Sequence, residues 1–228
     1  MRFHDHPPHS GRGTAGRDSY HHGNLREALI GCAIDLIAER GPSGFAFAEL
    51  ARAAGVSPAA PYRHFRDRNA LVSEIARRGF DRFTDALAAA WDGGRPDPVA
   101  AIEACGRAYL AFARAEPALY AAMFENALPE PAEPALLLAA DRAFGVLRQA
   151  AAAVCERLPQ ERRPPAMMVA LHLWSLAHGI AALFVGRAGA ARRKLPMPAE
   201  ALLEAGVLIY LQSLGLAAGL SEVPITSA

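Results

Sequence analysis

The segment from residue 47 to residue 65 concentrates side chains of the kinds that bind nucleic acid. Tyr62 and Arg63 place a hydroxyl and a guanidinium where they could reach phosphates or base edges. Small residues before them would let a helix approach the major groove closely, and a serine at the helix start would add backbone N–H donors for a phosphate. The residues predicted to contact DNA from this segment are Ser57, Ala59, Ala60, Tyr62, Arg63 and His64.

These side chains lie in the second half of a predicted helix-turn-helix. A short helix fits residues 47–54, and Gly55 supplies the left-handed backbone conformation that ends it. Ser57 is expected to cap a second helix, with Pro58 at its first position, that runs to Phe65. Two helices joined by a glycine turn also occur in many proteins that bind no DNA, so spacing alone leaves both interpretations open.

Trp174 and His178 form a second combination that could do chemistry, because they lie one turn apart on a predicted helix. A large aromatic ring beside a titratable imidazole suits a mostly apolar ligand pocket with one orienting contact. A core tryptophan and a hydrogen-bonded core histidine would give the same pattern, and that alternative stays open. The residues predicted to line the pocket are Tyr109, Phe112, Met123, Phe124, Phe144, Met167, Trp174 and His178.

No combination of residues in the sequence predicts an enzyme or a metal centre. His172 and His178 are too far apart in helical spacing to share a face, and neither a glycine-rich phosphate loop nor a nucleophile motif is present. Cys32, Cys105 and Cys155 are widely separated, which favours reduced core residues in a cytoplasmic protein. We therefore expect no enzymatic activity, no cofactor and no bound metal.

Residues 166–186 contain no charged side chain, and the length of this segment matches a membrane span. Basic residues flank both ends, so the charge asymmetry that orients a span is missing. A buried helix of a bundle is therefore favoured. Small residues form a stripe along this helix, which could pack inside one subunit or form the seam of a dimer. The stripe consists of Ser175, Gly179, Ala182 and Gly186.

The elements that must position these groups are predicted to be helices throughout. Hydrophobic residues make up 52% of the chain, alanine and leucine dominate, and proline or glycine marks each junction. Helices are predicted at residues 24–40, 47–54, 57–65, 69–91, 99–115, 117–126, 134–158, 165–187 and 199–216. The predicted fold is all-α, with three short helices followed by about six longer ones.

The run Gly-Val-Ser-Pro-Ala-Ala-Pro-Tyr-Arg-His-Phe-Arg-Asp-Arg-Asn-Ala-Leu at residues 55–71 resembles the DNA-binding domain of the TetR family of bacterial regulators. The lead-in Tyr-His-His-Gly-Asn-Leu at 20–25 is similar to that of a subgroup whose C-terminal effector domain is named for a Trp-His-Gly signature. Trp174, His178 and Gly179 resemble that signature, and residues 116–124 are similar to another motif of the subgroup. The resemblance extends from residue 20 to residue 216. It implies a helix-turn-helix domain at 20–68 and a helical ligand-binding and dimerisation domain at 69–218, with tails at 1–19 and 219–228.

The resemblance implies a DNA-binding transcriptional regulator, by default a repressor, that a small and mostly apolar effector releases from a palindromic operator. Tyr62 and His64 match positions that bind phosphates, and Arg63 matches one that contacts bases or backbone. Arg68 matches a basic position at the start of the fourth helix and joins the predicted DNA contacts. The family dimerises through its last two helices. The matching stripe predicted for the last helix is Leu203, Val207, Tyr210 and Leu214.

Two positions in the helix-turn-helix predict local irregularity. Ala46 stands where members usually have a serine or threonine that caps the second helix, and losing such a cap costs roughly 1 kcal/mol. Pro61 lies one turn into the recognition helix and removes an internal hydrogen bond, although the subgroup shares this proline. We therefore expect an irregular start for the recognition helix.

Two other functions remain compatible with the sequence. A membrane-tethered regulator would use residues 166–186 as its anchor. A protein that compacts DNA without sequence preference could use the same helix-turn-helix. The net charge of only +1 argues against the second of these, because non-specific DNA binding depends on a large basic excess.

Overall fold

The computed structural model describes residues 22–125, 133–184 and 197–216. All regular structure in these ranges is helical, which confirms the predicted all-α class. The α-helices are α1 His22–Arg40, α2 Phe47–Ala53, α3 Arg68–Trp91, α4 Pro98–Ala115, α5 Pro117–Phe124, α6 Pro134–Cys155, α7 Ala166–Phe184 and α8 Ala199–Ser213. Short 3₁₀ turns lie at Pro61–Arg63, Asp92–Gly94 and Gln160–Arg162. Both predicted tails and the predicted end of α7 lie outside the described residues.

Proline and aspartate set several of the helix starts. Pro98, Pro117 and Pro134 each begin a helix, at a position where the missing N–H has no partner to lose. Asp67 caps α3, because its carboxylate accepts a hydrogen bond of 2.8 Å from the backbone N–H of Ala70. These local signals are visible in the sequence, and the predicted bounds of these helices agree closely with the structure.

The predicted recognition helix at residues 57–65 is the exception, because it is not an α-helix. Its backbone forms a turn followed by the 3₁₀ turn Pro61–Arg63. The N–H of Ala60 donates to the carbonyl of Ser57 at 2.9 Å, a bond that spans three residues rather than four. Pro61 has no N–H to donate to the carbonyl of Ser57, so the first bond of an α-helical ladder is missing, and a bond of α-helical span appears at the end of the segment, from the N–H of Phe65 to the carbonyl of Pro61 at 3.0 Å. We call residues 57–65 the recognition segment.

The missing serine cap of α2 is partly replaced from within the helix. Ala46, at the N-cap position, has no side-chain acceptor, but its own N–H donates to the Glu49 carboxylate at 2.9 Å. This bond is half of a capping box. Arg40, at the end of α1, donates to the same carboxylate at 2.7 Å. The bonds from Ala46 and Arg40 lower the pKa of Glu49 and hold the corner between α1 and α2.

Helix α3 is the central element, because it begins beside the recognition segment and then runs through the core. Its buried face includes Leu71, Ile75, Phe83 and Leu87, and it packs against α4, α5 and α6. Helix α7 lies against α6, and α8 packs against α4 and α7. We refer to residues 22–67 as the head and to the described residues from 68 onward as the body.

Ion pairs join the head to the body around Glu74 of α3. Its carboxylate accepts hydrogen bonds from Arg77 at 2.8 Å and from Arg78 at 2.9 Å. Arg78 continues to Glu27 of α1 through two bonds of 2.6 and 2.7 Å. Helix α5 of the body also packs against α1. The head is therefore held by α3 and α5 together.

Helix α7 is, among the described residues, the helix that is long and apolar enough to cross a membrane. In this structure it is a body helix with a buried face and an exposed face. Val169, Leu173, Ala177 and Ile180 belong to the buried face. Several apolar side chains on the opposite side are exposed. An exposed apolar surface of this kind is typical of an interaction site.

The substitution Ala46→Ser is expected to stabilise the protein by about 1 kcal/mol, because a hydroxyl at the N-cap can accept from an N–H of the first turn of α2. The measurement is the midpoint of urea unfolding, followed by circular dichroism. Ala48→Ser, at an exposed position inside α2, is the matched control and should not stabilise. Equal midpoints for Ala46→Ser and the unchanged protein would contradict the prediction.

The substitution Glu74→Gln is expected to destabilise the protein by about 1–3 kcal/mol at neutral pH. Hydrogen bonds from Arg77 and Arg78 lower the pKa of Glu74 to about 2. A carboxylate with a depressed pKa stabilises the fold above the pKa it has in the unfolded chain, and this contribution is lost as the pH falls toward the folded value.

Urea unfolding across pH tests this dependence on Glu74. The stability difference between the unchanged protein and Glu74→Gln should shrink as the pH falls from about 5 to about 3. Glu103→Gln, at a half-buried position on α4 with no ion pair among the described residues, is the control. A Glu74 difference that stays constant over this pH range would show that the charge of this carboxylate does not stabilise the join.

Candidate DNA interface and effector site

Gly55 turns the chain between α2 and the recognition segment. Its φ of +68° lies in the left-handed region, and the N–H of Val56 closes the turn by donating to the carbonyl of Ala51 at 2.9 Å. A Cβ at this position would meet nothing within 4 Å. The need for glycine therefore comes from the backbone conformation alone, and the predicted glycine turn is confirmed.

Most of the predicted DNA-contacting residues lie on the surface of the head. Tyr62 is 62% exposed, and its ring packs edge-on against Phe47 of α2 with the centroids 4.9 Å apart. This contact holds the ring while leaving most of its surface open. The other exposed or half-exposed positions are Ser57, Ala59, Arg63 and His64.

Two predicted DNA contacts are placed differently. Ala60 is only 9% exposed, so its side chain lies mostly inside the head, and its predicted DNA contact stays a prediction. The tight turn between two prolines directs this side chain into the head. Arg68 is half-buried and donates from Nη1 to the carbonyl of Ser43 at 3.0 Å. This bond ties the start of α3 to the loop between α1 and α2, so a phosphate would have to use the remaining N–H groups of the guanidinium.

Two exposed arginines of the head are absent from the predicted DNA contacts. The side chain of Arg66 is 83% exposed and directly follows the recognition segment. Arg52 is exposed in the last turn of α2. Both charges are visible in the sequence, but which side of the head they occupy depends on how the non-helical recognition segment packs against α2. Residue spacing does not supply that information.

In the body, His178 of α7 lies at the centre of a polar triad. Its Nδ1 is 2.9 Å from the hydroxyl of Tyr109 on α4 and 3.1 Å from the hydroxyl of Tyr120 on α5. Burial lowers the pKa of His178. Burial also raises the pKa of Tyr120 to about 12 and raises that of Tyr109. All three groups are therefore neutral at pH 7.

Aromatic rings extend this triad into what we call the aromatic cluster. Trp174 packs against Phe144 with centroids 4.9 Å apart and edge-on against Phe124 at 6.2 Å. Phe124 in turn lies 4.9 Å from the His178 ring. The structure thus brings five of the predicted pocket residues together. The cluster consists of Tyr109, Tyr120, Phe124, Phe144, Trp174 and His178.

The remaining predicted pocket residues lie elsewhere. Phe112 packs against Phe83 of α3, and Met123 is buried against Gly79 of the same helix. Both are core residues. Met167 is 47% exposed in the first turn of α7, apart from the aromatic contacts of Trp174 and His178, so its predicted place in the pocket stays a prediction.

Tyr120 is the cluster residue that sequence reasoning missed. It lies one helical turn before Phe124 on α5, so the two side chains share a face. Both residues belong to the 116–124 motif, and their spacing was the available signal. The hydrogen bond of Tyr120 to His178 depends on the approach of α5 to α7, which no local pattern reveals.

A cavity of about 20 Å³ lies beside the aromatic cluster. Apolar side chains of α4, α6, α7 and α8 line it, among them Cys105, Leu173 and Leu203. Its volume is room for about one water molecule and is far smaller than a typical ligand pocket. Tyr109 belongs both to the cavity wall and to the cluster. In this structure, the predicted pocket residues therefore pack mainly against one another.

The predicted dimer stripe of the last helix is mostly turned inward. Leu203 and Val207 are 2% and 3% exposed, because they pack into the body, so their predicted place in a dimer seam is not confirmed. Tyr210 is half-buried and stacks on His172 of α7, with the ring centroids 3.7 Å apart. Leu214 is half-buried as well. The exposed side of α8 instead carries Ala201, Ala205 and Ile209.

The small-residue stripe of α7 is mostly exposed, whereas Leu203 and Val207 of the stripe predicted on α8 are buried. Ser175 and Ala182 are exposed, and Gly179 is half-buried. Gly186 lies outside the described residues. Together the exposed sides of the last two described helices form what we call the outer face. It consists of Met168, Leu171, Ser175 and Ala182 on α7 and of Ala201, Ala205 and Ile209 on α8.

Two family models match the chain. Residues 29–75 match the one described as "Bacterial regulatory proteins, tetR family", and residues 102–209 match "Tetracyclin repressor-like, C-terminal domain". The first match contains the recognition segment, and the second contains the aromatic cluster. Neither description names the Trp-His-Gly subgroup, which stays a prediction. No curated protein matches the chain.

Solved structures with this fold include a protein of unknown function from Rhodococcus sp. RHA1. It is 32% identical, with 89% of this chain and 100% of that chain covered and a TM-score of 0.71. The TetR family transcriptional regulator PfmR from Thermus thermophilus is 20% identical, with 81% and 97% covered and a TM-score of 0.63. The fatty acid degradation regulator FadR from Bacillus halodurans is 17% identical, with 86% and 96% covered and a TM-score of 0.62.

Head and body therefore match the two parts of one kind of regulator in the same order along the chain. The helix-turn-helix that the first match covers has its glycine turn and exposed recognition segment in place. The protein belongs to the TetR family and is a DNA-binding transcriptional regulator.

Proposed function

We propose that the protein is a homodimeric, cytoplasmic repressor that binds a palindromic operator and leaves it when a small, mostly apolar effector binds in the body. The observation that carries the proposal is the exposed recognition segment, with Tyr62 and Arg63 open to solvent on a head fixed to a helical body. Apart from its contact with Phe47, the Tyr62 ring is open to solvent, and the Arg63 side chain has no hydrogen-bond or ion-pair partner among the described residues.

The recognition segment would enter the major groove. Exposed Ala59 leaves room for close approach, while Arg63 can reach a base edge or a phosphate. Tyr62 and His64 are proposed phosphate contacts, and Ser57 would present its backbone N–H to a phosphate at the start of the turn. Two heads of a dimer would meet successive major grooves, about 34 Å apart along the duplex.

A second copy of the chain is the proposed occupant of the outer face. This face combines apolar side chains such as Met168, Leu171 and Ile209 with small ones such as Ser175 and Ala205. Small residues allow close helix approach, and a two-fold axis lets one such surface cover its own copy. Exposed apolar surfaces of this kind mark interaction sites. Dimerisation is also the means by which two heads can be spaced for a palindrome.

Two rival functions account for less of the structure. A membrane tether would have to pull the buried face of α7, with Leu173 and Ile180, away from α4, α6 and α8. That exposes core surface before the helix can enter lipid. A DNA-compacting role would require a large basic excess, and the net charge is +1.

Helix α5 is the proposed connection between effector and DNA. Its Tyr120 and Phe124 belong to the aromatic cluster, while the same helix packs against α1 of the head. An effector that entered the cluster would move α5 and thereby change the position of the head. Because the two binding equilibria are linked, bound operator would weaken effector binding by the same factor.

The substitution Arg63→Ala is expected to weaken operator binding and to reduce the slope of log affinity against log salt by roughly 1–2 per dimer. The operator can be obtained by selection from random-sequence DNA with the purified protein, and affinity can be measured by fluorescence anisotropy at several salt concentrations. Arg157→Ala, in the body beside Asp97, is the matched control. Unchanged affinity for Arg63→Ala would show that the recognition segment is misplaced.

The substitution Ile209→Glu is expected to convert the dimer to a monomer, because the two-fold axis would bring two buried, unpaired carboxylates into one interface. The dissociation constant of the dimer should rise roughly a hundredfold or more, as sedimentation velocity would detect. Leu137→Glu changes a similarly exposed residue on α6, away from the outer face, and should remain dimeric. If Ile209→Glu also remains dimeric, the outer face is not the interface.

A further inference from the structure

The second ring nitrogen of His178, Nε2, is the hydrogen-bonding atom of this ring that the triad does not use. Nδ1 is engaged by the hydroxyls of Tyr109 and Tyr120. Nε2 has no hydrogen-bond partner among residues 22–125, 133–184 and 197–216. Unlike Ser73 Oγ and Gln212 Nε2, which are fully enclosed and have no partner in these ranges, Nε2 of His178 is not fully enclosed. It lies on a ring that packs against Tyr120 and Phe124.

The hydrogen bonds of the triad determine which ring nitrogen carries the proton. Tyr109 and Tyr120 are 1% and 3% exposed, so each hydroxyl proton needs an acceptor inside the triad. If Nδ1 accepts from one hydroxyl, that hydroxyl oxygen can accept from the other, and every donor is satisfied. If Nδ1 itself carried the proton, one tyrosine hydroxyl would be left without an acceptor among the described residues.

Nδ1 is therefore the acceptor and Nε2 the N–H donor of a neutral imidazole. This assignment agrees with the lowered pKa of His178, which burial causes. The ring nitrogen that the triad leaves unused is thus a hydrogen-bond donor. A ligand that completes the site has to bring an acceptor.

The charges around the aromatic cluster indicate what kind of acceptor fits. Arg148 lies over the ring of Phe144 at 5.7 Å, but it is already paired with Asp141 at 3.2 Å. Glu125, at the end of α5, raises the pKa of Tyr120 through its negative charge. The described residues therefore offer no uncompensated cation to the cluster. An anionic ligand would lose its hydration without a counter-charge, which is costly.

We propose that the effector site of this protein is the aromatic cluster, and that it takes an uncharged, largely apolar molecule whose carbonyl or ether oxygen accepts a hydrogen bond from His178 Nε2. The rings of Phe124, Phe144 and Trp174 would contact the apolar part. This inference rests on the proposed function, since it names the effector chemistry of that function. Entry of the ligand would require these rings to separate, because they are in mutual contact.

Three small probes of the same ring size test the chemistry on the full-length protein. Acetophenone carries an uncharged acceptor, ethylbenzene lacks the oxygen, and benzoate carries a charge. Isothermal titration calorimetry at pH 7.5, up to the solubility limit of each probe, gives the affinities. Acetophenone is expected to bind roughly three- to tenfold more tightly than ethylbenzene, and benzoate should bind most weakly. This ranking in the unchanged protein needs no variant.

Variants of two histidines assign the hydrogen bond. His178→Phe keeps a ring of similar size and removes the donor, so the preference for acetophenone over ethylbenzene should disappear while ethylbenzene still binds. His178→Gln restores an amide donor and should restore part of the preference. His172→Phe changes a histidine of the same helix that stacks on Tyr210 outside the cluster, and it should leave the preference unchanged.

Several results would overturn the proposal. Tighter binding of benzoate than of acetophenone, a preference that survives in His178→Phe, or no binding of any probe to the unchanged protein would each do so. Probe binding is measured without DNA, and operator binding is measured without a probe. Failure of the effector chemistry can therefore be distinguished from failure of the DNA-binding function.

Discussion

The packing of α3 into head and body at once is the constraint on which the rest of the structure depends. Its first turns bury Leu71 and Ile75 beneath the head, and its later turns bury Phe83 and Leu87 in the body. The ion pairs at Glu74 strengthen the same boundary from the surface side. The head can therefore change its position relative to the body only if α3 bends or moves with it.

The sequence predicted helices and their ends well, because those signals are local. Proline at helix starts, aspartate caps and glycine turns act within a few residues. The recognition segment shows the limit of this reasoning. Its apolar and polar pattern fits a helix, but Pro61 removes a donor that a regular helix needs near its start. The pattern grouped residues 57–65 into one segment but predicted an α-helical backbone. The observed backbone is a turn followed by a 3₁₀ turn.

Side-chain placement in the body was predicted less well, for a different reason. Helix α8 is apolar on most sides, so its periodicity cannot decide which side is buried inside the subunit and which is exposed. The stripe through Leu203 and Val207 turned inward, and the one through Ala205 and Ile209 turned outward. Likewise, the pairing of Tyr120 with His178 comes from the meeting of α5 and α7. Such contacts are tertiary and leave no mark on a single segment.

The non-helical recognition segment has a consequence for how this protein can diverge. Backbone hydrogen bonds within the segment and the packing of Tyr62 against Phe47 determine its shape. The side chains of Ala59 and Arg63 are exposed. Exchanges at those exposed positions would remove no core contact and break no helical ladder. With the proposed operator contacts in this segment, operator preference can drift over generations without a matching cost in folding, so that close relatives with the same body could serve different genes.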